Sequence, residues 1–123
     1  HLVTICLGLN DARGGTEALD AFKANLVRLV ERVQGETRAD LLLVTPNTRS
    51  DALQEDGTVT EFVRAIRAVA REREVGLADV HAVYQGAIRM GAAPADLMSN
   101  RVSHPTREGH QIFANALIEF FQP

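Results

Sequence analysis

One cysteine in 123 residues excludes an intrachain disulfide, so whatever folds this chain does so without covalent staples. That residue, Cys6, lies inside an apolar run and reads as a buried, inert thiol. No apolar stretch approaches the roughly 20 residues that a membrane-spanning helix needs. There is no basic stripe: twelve of the thirteen basic residues are arginines, they are scattered, and the net charge is −3. A nucleic-acid footprint is therefore not expected. Gly-rich phosphate loops are missing, as are clusters of histidine and cysteine at metal-ligand spacing. Repeats, low-complexity segments and linkers are missing too. A single domain spanning residues 1–123 is the expected organisation.

What is present is alternation. Residues 2–7 form a short apolar run, read as a strand buried on both faces. Ala18, Phe22, Leu26, Leu29, Val30 and Val33 recur at helical spacing and predict a helix over 16–33, with Gly35 helping to end it. A second buried strand follows at 41–45, stopped by Pro46 and Asn47. After a polar loop, Thr58 and Glu61 resemble a capping box opening a helix that carries Phe62, Val63, Ile66, Val69 and Ala70 on one face. A weaker strand is expected at 75–80, with Asp79 as a cap, then a short helix at 81–90 and an irregular stretch at 91–101. A final helix over 106–121 is expected to bury Ile112, Phe113, Ala116, Leu117 and Phe120. Strands alternating with helices imply parallel pairing in a layered α/β sandwich, here with about three strands.

Two short stretches carry chemistry. Gly8-Leu9-Asn10-Asp11 ends the first strand, where ligands bind in open parallel sheets. Asn10 offers a neutral donor there, while the same residue types are also the commonest turn formers. Ser103-His104-Pro105-Thr106 places a histidine where loop meets helix, with Pro105 fixing the next φ and Thr106 able to begin the helix. That position suits a catalytic base, and also suits a capping or surface histidine.

Gly8-x-Asn10-Asp11 after a buried strand resembles the third block of the SGNH hydrolases, or GDSL-type esterases and lipases. His104-Pro105 followed by Gly109-His110 resembles their fifth block. The resemblance implies a flavodoxin-like three-layer α/β/α sandwich and a serine esterase acting on acyl or acetyl esters. By it, Asn10 donates to the oxyanion, His104 is the general base, and Asp11 and His110 are structural. No metal or organic cofactor is implied. The substrate is a small ester: a lipid, an acetylated carbohydrate or a small acyl ester.

The pattern departs from the family twice. The Gly-Asp-Ser nucleophile block does not occur, and Ser50, Ser99 and Ser103 offer no replacement; Ser103 adjoins His104, a poor geometry for its hydroxyl to reach the ring. The expectation is that the chain is the C-terminal portion of a longer protein, with the nucleophile on an upstream segment that is its partner. The position of the family's orienting acid holds Arg101, or Asn100 if one residue is inserted. Asn100 can accept from Nδ1–H and set the tautomer, and Asp96 is an outside candidate. The alternative reading is a non-catalytic SGNH-like module that binds an ester or glycan; a third, from fold alone, is a flavodoxin-like nucleotide- or partner-binding domain. Compartment is left open.

Overall fold

The computed structural model describes residues 1–48, 57–100 and 103–121. The expected alternation is there: β1 (Leu2–Cys6), α1 (Leu19–Glu36), β2 (Asp40–Val44), α2 (Gly57–Glu72), β3 (Gly76–Ala78), α3 (Val80–Arg89) and α4 (Arg107–Ile118). Single 3₁₀ turns punctuate the connections. The chain divides into two compact units, one of His1–Pro46 with Gly57–Ala78, the other of Asn47–Asp56 with Asp79–Pro123.

The first unit holds the whole sheet, ordered β1-β2-β3 and parallel throughout. Ile5 stands opposite Leu43, and Leu43 opposite Leu77. With a neighbour on each edge, β2 is buried from Leu41 to Val44. Among the described residues β1 pairs with β2 alone, and its residues alternate between an exposed face and a half-buried one. The expectation that it is buried on both faces is thereby corrected. Its apolar composition was read as burial, but burial needs covering layers that composition does not supply.

Helices α1 and α2 cover the sheet with continuous apolar stripes. Phe22, Leu26 and Val30, each four residues apart, are buried on α1, and seven residues are buried on α2. The rings of Phe22 and Phe62 meet at 4.9 Å between centroids, tilted by 51°. Complete burial of a Phe, Leu or Val side chain stabilises by about 1.5–3 kcal/mol, so this stripe is the main force holding the unit. Leu29, expected in the stripe, is 41% exposed. α1 also runs through Gly35 to Glu36 and is closed by Thr37, whose N–H and hydroxyl both donate to Val33 O.

In the second unit Asp79 caps α3 as expected, its Oδ1 accepting from Ala82 N at 3.2 Å. Tyr84 of α3 is wholly buried and meets Phe113 of α4 edge-on at 6.1 Å. Thr106 caps α4, its Oγ1 accepting from Gly109 N at 3.1 Å. Gly109 is needed for closeness: a Cβ there would lie 2.5 Å from Leu97 O, 2.6 Å from the Tyr84 hydroxyl and 2.9 Å from Pro105 Cβ. The final helix buries Ile112 and Ala116, but Phe120 is 47% exposed. The cause is a change of period. After Ile118 the chain tightens into a 3₁₀ turn, Glu119–Phe121, which rotates the last residues off the helix's apolar face.

Candidate active site

Asn10 sits in a turn built by its neighbours. Gly8, just past β1, has φ +111°, which L side chains rarely adopt, and a Cβ there would meet Ile66 at 3.3 Å and Phe22 at 3.4 Å. Its N–H donates to Asp11 Oδ2 at 3.2 Å, and its carbonyl accepts from Ala12 N at 3.0 Å. Asp11 is thus a loop-shaping residue. Asn10 itself is exposed, in helical backbone conformation, and its side chain makes no capping bond with the 3₁₀ turn that follows. Its carboxamide is held at the strand's carboxyl end with donor capacity in hand.

The second unit presents His104. A small antiparallel bridge pairs Met98 with Pro105, next to His104. Every polar main-chain group of His104 is engaged. Its carbonyl accepts from Ser99 N at 2.6 Å and from Ser99 Oγ at 3.1 Å. Its N–H donates to Asn100 Oδ1 at 2.9 Å, an oxygen that also accepts from Ser103 N at 2.8 Å. Below the loop, Thr106 N donates to Leu97 O, and Thr106 Oγ1 to Asp96 O. A further strut comes from Asn47, three residues beyond β2. It is 4% exposed, and its Nδ2 donates to Ser103 O at 3.0 Å. The backbone is clamped while the imidazole stays exposed, which is what a proton-transferring side chain needs.

The surrounding sequence candidates fall out as follows. Asn100 stands beside His104, and its Oδ1 receives two main-chain N–H groups. The atom facing the ring's Nδ1 is Ser103 Oγ, at 3.4 Å, so the neighbour judged badly placed for the ring reaches it after all. Asp96 contributes its carbonyl to Thr106. His110 is exposed in the first turn of α4, its ring 6.2 Å from that of Phe113. Arg101 and Ser50 lie outside the described residues. Cys6 is exposed, not buried as expected; it shares the exposed face of β1 with Leu2 and Thr4. Its immediate surroundings nonetheless desolvate the thiol and push its pKa up, which disfavours the nucleophilic thiolate. Among the described residues no group of three or more His, Cys, Asp or Glu side chains could hold a metal ion.

Residues 1–112 match the GDSL-like Lipase/Acylhydrolase family. The chain belongs to that family. Solved structures of hydrolytic enzymes are similar to it as well. The acetylxylan esterase Axe2 of Geobacillus stearothermophilus superposes with TM-score 0.80 at 25% identity, covering 96% of this chain and 57% of Axe2. LAE5, an alpha/beta hydrolase enzyme from the metagenome of Lake Arreo, Spain, gives TM-score 0.79 at 25% identity, covering 96% of this chain and 58% of its own. The chain therefore spans a little over half the length of these enzymes. No curated protein matches it in sequence.

Sequence reasoning missed Asn47 and Ser99. Asn47 was read only as a strand stop. The signal was a polar amide in an otherwise buried segment, Leu41 to Thr48, where an amide needs partners.

Proposed function

We propose that this GDSL-type chain carries the general base and one oxyanion donor of a serine esterase that hydrolyses acetyl or short acyl esters. The nucleophile, a serine, comes from a segment outside the 123 residues. The clamped backbone of His104 beneath an exposed imidazole carries this reading, supported by the family match. The acetylxylan esterase among the similar structures supports an acetylated carbohydrate as one substrate class.

In the reaction, His104 Nε2 takes the serine's proton as its oxygen attacks the ester carbonyl. The carbonyl oxygen becomes an oxyanion, and Asn10 Nδ2 donates to it. His104 returns the proton to the departing alcohol, and water then releases the acid from the acyl-enzyme by the same relay. A neutral amide is suited to this task because it strengthens with the charge that develops.

Full-length protein is assayed on p-nitrophenyl acetate, with and without a fluorophosphonate. Hydrolysis that the probe abolishes is expected, as is a fall in kcat of about 10²–10³-fold in Asn10→Ala. Absence of hydrolysis, or hydrolysis indifferent to the probe, refutes the reading and leaves a binding module.

A further inference from the structure

We infer that Ser103 is the positioning residue for His104, its hydroxyl oxygen accepting from the ring's Nδ1–H where related sites would use a carboxylate. The inference rests on the reading of His104 as general base.

The argument starts with Asn100. Its Oδ1 accepts from two main-chain N–H groups, Ser103 N at 2.8 Å and His104 N at 2.9 Å, so the orientation of the amide is fixed. The other end, Nδ2, then faces Ser103 Oγ at 3.5 Å. An amide nitrogen only donates, so it claims one lone pair of the hydroxyl. Ser103 Oγ also faces His104 Nδ1 at 3.4 Å, and can present to it either its hydrogen or its second lone pair. If that pair accepts from Nδ1–H, the proton sits on Nδ1 and the Nε2 lone pair is free to act as base. The opposite polarity, with the Ser103 hydroxyl donating to Nδ1, would leave Nε2 protonated and no base.

The hydroxyl is also well anchored. Ser103 N is held by Asn100 and Ser103 O by Asn47 Nδ2, so both peptide bonds flanking its Cα are fixed. These are main-chain contacts that alanine retains. The two contacts to Oγ are about 0.5 Å longer than ordinary N–H···O bonds. Catalytic hydrogen bonds in ligand-free sites are commonly long and tighten when substrate binds. A hydroxyl acceptor also carries no charge, so it sets the tautomer without stabilising an imidazolium as a carboxylate does.

The test reads the ring directly. Long-range ¹H–¹⁵N spectra of the full-length protein, with the His104 signals assigned by their loss in His104→Ala, report which nitrogen is protonated. The wild type is expected to hold Nδ1–H, Ser103→Ala to move toward Nε2–H, and Ser103→Thr to restore the wild-type pattern. On p-nitrophenyl acetate, Ser103→Ala is expected to lower kcat about 5–20-fold with KM unchanged, on the order of one lost hydrogen bond. An unchanged tautomer in Ser103→Ala overturns the inference, as does a wild type already protonated on Nε2. If His104→Ala leaves the rate untouched, the general-base reading fails instead, and the spectra still decide the tautomer.

Discussion

Both units of this chain have buried apolar side chains, but hydrogen bonds play different parts in the two. The first is built on apolar contact: three parallel strands under two helices whose buried faces meet at Phe22 and Phe62. The second positions its key residue with hydrogen bonds, many of them from side chains to main chain. Asn47, Ser99 and Asn100 all spend their polar groups on the backbone around His104. Apolar burial is non-directional and tolerates small shifts, so it suits a scaffold. A proton-transferring ring must point in one direction, and directional bonds supply that.

The largest stability effect should therefore come from the first unit. Phe62→Ala removes a fully buried ring and its aromatic partner contact, and should cost about 3–5 kcal/mol in urea denaturation. A cost under about 1 kcal/mol would mean that the apolar core is not what holds this unit. In the second unit the comparable point is packing around one hydrogen atom. Gly109→Ala should cost about 1–3 kcal/mol, because the added methyl meets Leu97 O, a carbonyl fixed by its bond from Thr106 N. No measurable loss would show that the loop under His104 is softer than described.

A smaller effect sharpens the contrast by pH. The Tyr84 hydroxyl is buried with no hydrogen-bond partner among the described residues, and burial pushes its pKa from 10.0 up to about 12. The unfolded chain ionises first, so from about pH 10 to about pH 12 the folded state holds one more proton. Stability from this group is complete below that window and is lost as pH rises through it. Tyr84→Phe should flatten that decline and, by deleting an unpaired hydroxyl, leave stability at neutral pH unchanged or slightly higher. A decline of equal steepness in the variant would assign it to other groups.

The same contrast explains what could be read from the sequence. Periodicity reports apolar burial, so α1, α2, β2 and the order of elements were legible. It failed where burial depends on neighbours that the pattern cannot see. β1 and Cys6 look like core, yet one face of the strand, Cys6 included, is exposed. Phe120 lies on the expected apolar face of α4 and leaves it when the helix period changes. As candidates, His104 and Asn10 were legible because they sit in short motifs. The clamp was not: Asn47 and Ser103 are 56 residues apart, and no local pattern announces a bond across that distance. Adjacency to His104 reads as a poor geometry for the Ser103 hydroxyl to reach the ring, yet the two meet at 3.4 Å.

The central claim is that His104 is the base for which the second unit's hydrogen bonds are arranged. Its most direct test is the rate of p-nitrophenyl acetate hydrolysis by His104→Ala beside wild type, at matched circular dichroism. Because the ring is exposed and the loop's bonds run through main chain, the variant should fold as wild type does. The account predicts a fall in kcat of at least about 10³-fold. A folded variant hydrolysing at the wild-type rate would contradict it.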